Sequence, residues 1–81
     1  MNSLQARESL DDLRRQLRTV PYNADLSRYL RNIEKMVVKM NSLEVEAQRR
    51  RSVHLYHRHA EETAAMIKHL GQLILIAVLM A

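Results

Sequence analysis

Apolar residues recur at steps of three and four along most of this 81-residue chain, which is the spacing of one face of an α-helix. Turns are scarcely encoded, because Pro21 is the only proline and Gly71 the only glycine. The pattern therefore predicts an all-α fold in a single domain, residues 1–81. We expect either an antiparallel helical hairpin or a three-helix arrangement with a long C-terminal helix, assembled into an oligomer.

Three stretches carry this spacing and define the predicted helices. The first covers about residues 4–20 and ends before Pro21, since a proline disfavours helical geometry in the residue that precedes it. The second covers about residues 24–50, and the third about residues 52–80. The apolar stripes are Ala6, Leu10, Leu13, Leu17 and Val20 in the first helix, Leu26, Tyr29, Ile33, Met36, Met40, Leu43 and Ala47, joined by Leu30 and Val37, in the second, and Val53, Tyr56, Ala60, Thr63, Ile67, Leu70, Ile74, Ala77 and Ala81 in the third.

The second and third stripes are out of register by one residue, and the change falls in the polar segment 44–52. One interpretation is that the chain turns back here, with Ser52 as a helix cap. The other is a single helix that continues from Leu26 to the end of the chain while its buried face rotates. We favour a break or kink within 41–52, because one uninterrupted helix would expose too much apolar surface in a monomer.

The segment 73–81 contains no polar side chain, so the final two helical turns are apolar on every side. Two helices with narrow apolar stripes cannot enclose such a helix, which is normally buried all round or lies in lipid. We therefore predict that residues 53–81 bind a protein partner or a second copy of the chain. The predicted contact residues are Ile67, Leu70, Leu73, Ile74, Ala77, Val78 and Leu79.

Membrane contact is an alternative interpretation of the same segment. A membrane-spanning helix needs about 20 consecutive apolar residues, and Lys68, His69 and Gln72 interrupt the run. We therefore expect surface contact at most, although an interfacial helix normally keeps a polar face. The polar, acidic N-terminal region is unlike a secretory signal, and the absence of cysteine fits a reducing compartment. These features favour a cytoplasmic protein.

A basic segment, Arg49–His59, follows the second stripe and overlaps the start of the third. It contains Arg49, Arg50, Arg51 and Arg58 together with three histidines and no acidic residue, in a chain of formal net charge +4. Such a cluster can bind the phosphates of nucleic acid or an acidic protein. It is also typical of a solvated helix face, and the glutamates that flank it weaken its field. We favour the solvated face, and keep nucleic-acid binding as an alternative.

The sequence predicts neither a metal site nor catalysis. His54, His57 and Glu61 have a spacing that places them on one helical face, but this spacing is common by chance and surface histidines explain it. No glycine-rich phosphate loop and no nucleophile motif is present. We expect no cofactor and no enzymatic activity.

One motif resembles a known family. After a helix and a short turn, the run Asp25-Leu26-Ser27-Arg28-Tyr29 places a tyrosine four residues after an aspartate. In this respect residues 4–45 resemble the small helical-hairpin co-chaperones of type III secretion needle subunits. The resemblance implies a cytoplasmic protein that joins a larger partner chaperone to keep a needle subunit soluble. The short first helix and the basic third segment with its apolar end depart from the family pattern.

These observations predict a small non-enzymatic protein-interaction module that acts through its apolar C-terminal helix by coiled-coil-like contact. A chaperone or assembly partner, in type III secretion if the resemblance holds, is the favoured role. A basic nucleic-acid-binding protein and a membrane-surface protein are the alternatives.

Overall fold

The computed structural model describes residues 1–50 and 53–80 of the chain. These residues form the helices α1 (Ser3–Leu17), α2 (Ala24–Arg50) and α3 (His54–Met80), and they contain no strand. The predicted all-α class is confirmed, in its three-helix form.

Helix α1 begins with a reciprocal cap. The Asn2 side chain accepts a hydrogen bond from the Gln5 N–H at 2.8 Å, and the Gln5 side chain accepts one from the Asn2 N–H at 2.9 Å. The helix ends at Leu17, about three residues earlier than the sequence predicts. The chain tightens there into bonds that span three residues, from the Thr19 N–H to the Gln16 carbonyl and from the Val20 N–H to the Leu17 carbonyl.

A short turn joins α1 to α2 and makes them antiparallel neighbours. The Asn23 side chain caps α2, because its Oδ1 accepts from the N–H groups of Asp25 at 2.9 Å and Leu26 at 3.1 Å. An ion pair between Arg14 and Glu34, at 3.1 Å, also links the two helices.

Helix α2 continues unbroken from residue 41 to Arg50, and α3 begins at His54. The predicted break or kink therefore does not lie within residues 41–50. Arg51 and the predicted cap Ser52 lie outside the described residues. Helices α2 and α3 lie side by side and antiparallel, since Tyr29 contacts His69 near one end and Glu44 bonds Tyr56 near the other. One continuous helix is not the arrangement observed.

The three apolar stripes meet along the axis of an elongated bundle whose Cα atoms span 48 × 18 × 14 Å. Each helix contacts both of the others. The largest side chains that are fully buried include Ile33, Met40 and Leu70. We call the end that holds the start of α1 and residues 41–50 and 53–58 the polar end. The end that holds residues 18–26 and 73–80 is the apolar end.

Candidate protein-interaction surface

The outward side of the last two turns of α3 is apolar and exposed. Leu75 is 58% exposed and Leu79 is 76% exposed, and their neighbours are also accessible. We call the exposed apolar side chains at this position the terminal patch, which consists of Leu75, Ile76, Val78, Leu79 and Met80. Exposed apolar areas beyond a few hundred Å² are unusual on soluble monomers and mark interaction sites.

The structure divides the contact residues that the sequence predicts into two groups. Leu70 and Ile74 are buried in the bundle core, so they are not accessible to a partner. Val78 and Leu79 are exposed and belong to the terminal patch. The three others, partly buried against the core, are Ile67, Leu73 and Ala77.

The expectation that α1 and α2 cannot cover α3 holds only for its outward side. Helix α1 packs on α3 as well as on α2, so the α3 stripe is enclosed from two sides. The stripe through Leu70 and Ile74 therefore packs in the core of the bundle. The accessible surface is formed by residues that lie off this stripe, on the outward side of α3. Leu75, Ile76 and Met80, which the predicted contact set omits, are recognisable in the sequence because they lie off that stripe.

The turn between α1 and α2 extends the apolar surface at this end. Tyr22 projects into solvent from the turn. A shallow groove connects the turn to the end of α3, and its lining includes Val20, Pro21, Tyr22, Leu26, Ala77 and Met80. The terminal patch is thus continuous with an apolar rim formed by the turn.

The polar end is organised around one carboxylate. Glu44 Oε2 accepts hydrogen bonds from the Ser3 N–H and from the Tyr56 hydroxyl, each at 3.0 Å. The bond from the Ser3 backbone is the main reason that the pKa of Glu44 is lowered, and partial burial opposes it. Burial and the nearby carboxylate raise the pKa of Tyr56. Glu44 therefore joins all three helices and places a negative charge at the N-terminus of α1, where the helix dipole favours it.

The described arginines of the basic segment pair with glutamates. Arg49 and Arg50 both pair with Glu46, at 3.8 and 3.1 Å, and Arg58 pairs with Glu62 at 3.7 Å. Arg51 lies outside the described residues. The paired arginines are exposed, as a solvated helix face would be.

Within residues 1–50 and 53–80, no group of three or more His, Asp or Glu side chains is arranged to hold a metal ion. His59 is buried instead, with Nε2 2.7 Å from the Met36 carbonyl oxygen, and the Thr63 hydroxyl donates to the His59 carbonyl at 2.8 Å. Sequence reasoning placed His59 in the basic segment and missed its role in joining α2 to α3.

Helix α3 is also long and apolar enough to cross a membrane, judged by length and composition alone. Core helices of soluble proteins pass the same test, but most of the apolar window of α3 is not buried inside the bundle. The chain is thus a three-helix bundle with an exposed apolar surface at one end. Comparison of the chain with known protein families, with curated proteins and with solved structures finds no match.

Proposed function

We propose that this chain is a small non-enzymatic protein-interaction module whose terminal patch binds an apolar helix of a protein partner. The observation that carries the proposal is the two-sided character of α3. Its inner side completes the bundle core through Leu70 and Ile74, while Leu75 and Leu79 remain exposed on the outer side. A side chain that does not complete the fold gains burial only when another molecule covers it.

Two features favour a protein partner over a lipid surface. The inner side of α3 is already covered by α1 and α2, so membrane insertion of the whole helix would expose the core stripes of those helices. The outer side also changes from polar to apolar along its length, since Lys68 lies two turns before Leu75 and Gln72 less than one turn before it. A short apolar area with a polar continuation is typical of the centre and rim of a protein interface.

A narrower form of the proposal is a cytoplasmic chaperone or assembly partner, in type III secretion if the resemblance reflects common function. This form rests on the helical hairpin of α1 and α2 and on the Asp25–Tyr29 spacing at the start of α2. In this form, the partner would be a larger chaperone, and the complex would hold a subunit soluble.

The matched variants Leu75→Glu/Leu79→Glu and Leu4→Glu/Val38→Glu test the proposal. Leu4 and Val38 are 64% and 66% exposed and lie on α1 and α2, so the two variants add the same charge at similarly exposed sites. A partner recovered from the source cells by cross-linking is purified and titrated against each variant. We expect the control variant to bind as the natural chain does, and the patch variant to lose at least tenfold in affinity.

The salt dependence of binding distinguishes this apolar contact from binding to nucleic acid, which is the alternative that the basic segment suggests. Apolar helix pairing persists between 50 and 200 mM salt, whereas phosphate contacts weaken steeply over such a range. Equal binding by both variants, or binding that salt abolishes, would contradict the proposal. The alternative of membrane-surface contact predicts that the chain floats with anionic liposomes and that the patch variant does not.

A further inference from the structure

The outer side of α3 carries a second helical stripe that takes no part in the bundle. Lys68, Gln72, Leu75 and Leu79 are spaced by four, three and four residues, and all of them are exposed. This is the heptad spacing of a two-stranded coiled-coil seam. Its first half is polar and its second half is apolar, so only the last two turns can form a dry contact with another helix.

A second copy of the chain fits this seam by charge. No charged side chain lies between Gly71 and Met80, so two terminal patches can face each other without like charges in the contact. The chain as a whole has a formal charge of +4, so contact between two copies is least opposed where charged side chains are absent. The terminal patch provides such a place.

The position of Lys68 selects the direction of pairing. In a parallel pair the two Lys68 ammonium groups would face each other across helices about 8–10 Å apart. In an antiparallel pair centred near Ala77, Leu75 of each copy faces Leu79 of the other. The two Lys68 residues are then about 27 Å apart along the axis at 1.5 Å per residue. That separation is well beyond the Debye length of about 8 Å at physiological salt.

We propose, on the basis of the function proposed above, that the terminal patch is a homodimer interface in which the last two turns of α3 pair antiparallel with those of a second copy. The two bundles extend away from each other, and their polar ends lie at opposite tips. The contact spans only two turns per copy, so it belongs to the interfaces below about 1,200 Å² that associate weakly. We expect a monomer–dimer equilibrium in the micromolar range or above.

Sedimentation velocity over a range of protein concentrations tests the stoichiometry. The natural chain and the Leu4→Glu/Val38→Glu control should shift from monomer to dimer as concentration rises, and Leu75→Glu/Leu79→Glu should remain monomeric. Circular dichroism checks that each variant stays helical. A natural chain that stays monomeric up to millimolar concentration, or a patch variant that dimerises equally well, overturns the proposal.

Single-cysteine variants test the direction of pairing, since the chain has no cysteine of its own. On oxidation, an equimolar mixture of Leu75→Cys and Leu79→Cys should form mainly the mixed disulfide. Gln72→Cys should cross-link no faster than Arg7→Cys, which lies on α1 away from the patch. Rapid cross-linking of Gln72→Cys with itself would indicate parallel pairing and overturn the antiparallel interface.

The two proposals fail in distinguishable ways. A monomeric chain whose purified partner still requires Leu75 and Leu79 overturns the homodimer and supports the proposed function. A monomeric chain with no contact that depends on the patch overturns both.

Discussion

The two ends of this bundle differ in how far contacts within the chain satisfy their side chains and helix termini. At the polar end, the Glu44 carboxylate accepts from the Ser3 backbone and the Tyr56 hydroxyl, so α1, α2 and α3 are joined by hydrogen bonds. At the apolar end, the Asn23 cap satisfies the start of α2, but the outer side of α3 is left as exposed aliphatic surface. The polar end is thus held by hydrogen bonds within the chain, whereas the apolar end keeps an exposed aliphatic surface that the proposed function assigns to a partner.

The same contrast appears across α3 itself. Leu70 and Ile74 face the core, whereas Leu75 and Leu79, from the same part of the helix, lie on the opposite side and are exposed. Four aliphatic residues of one helix therefore have different roles. Substitutions on the two sides should affect different measurements, stability on the inner side and association on the outer side.

The largest expected effect is on the inner side of α3. Leu70→Ala removes a fully buried side chain from the centre of the bundle and should lower the free energy of unfolding by about 2–5 kcal/mol. Leu79→Ala should change it by no more than about 0.5 kcal/mol, because that side chain is largely exposed. Urea denaturation followed by circular dichroism at low protein concentration measures both. Similar losses of unfolding free energy in the two variants would contradict the distinction between the buried and the exposed side of α3.

A smaller effect is expected at the polar end. Glu44→Gln removes the charge that accepts from Ser3 and Tyr56, and it should cost about 1 kcal/mol, since Glu44 is only half-buried. The pKa of Glu44 is lowered in the folded chain by the Ser3 backbone bond, so its contribution is fully present above the unfolded pKa of about 4.3. The contribution is lost as pH falls through the lowered pKa.

Urea denaturation of the natural chain and Glu44→Gln between neutral and acidic pH checks this sign. The difference in stability should be constant above about pH 5 and should shrink below about pH 4. A difference that grew as the pH fell would contradict the assigned role of the carboxylate.

An effect of opposite sign is expected at the one glycine of α3. A Cβ added at Gly71 would meet Leu13 Cδ2 at 3.8 Å, an ordinary van der Waals contact. Gly71→Ala should therefore raise the free energy of unfolding by about 0.5–1 kcal/mol, because alanine loses less backbone entropy in a helix. Thermal denaturation measures the gain. A destabilised Gly71→Ala would indicate that α1 and α3 pack more closely than the structure has them.

The smallest effect is expected in the basic segment. Arg49→Gln/Arg50→Gln removes two exposed ion pairs to Glu46 and should change stability by less than about 0.5 kcal/mol. If these arginines form a solvated face, binding to the partner of the terminal patch should also be unchanged. A large loss of binding by this variant, in a titration at physiological salt, would indicate that the interaction site lies at the polar end.

The periodicity of apolar residues was sufficient to predict the three helices and most of the core, because spacing alone determines which residues share a face. Ala6, Ile33 and Leu70 are buried as their stripes require. The end of α2 was less predictable, since no glycine or proline marks the turn and the helix continues to Arg50.

Contacts between helices could not be derived from spacing. Asn41 and Glu44 have the spacing of a capping box on their own helix, yet both contact Ser3 of α1. His59 lies in a segment whose composition indicates solvent exposure, but it is buried against the Met36 carbonyl. Both outcomes depend on which helix lies alongside, and that is decided by the packing of the whole bundle. For the same reason, spacing alone does not separate the buried Leu70 and Ile74 from the other predicted contact residues of α3.

The concentration dependence of urea denaturation tests most directly whether the terminal patch contributes nothing to the stability of the monomer but is needed for association. A protein that dimerises only when folded becomes more stable as its concentration rises. We predict that the urea midpoint of the natural chain rises with protein concentration, that the midpoint of the uncharged patch variant Leu75→Gln/Leu79→Gln does not, and that the two coincide at high dilution. A patch variant with a lower midpoint at every dilution, or a natural chain whose midpoint is independent of concentration, would contradict this claim.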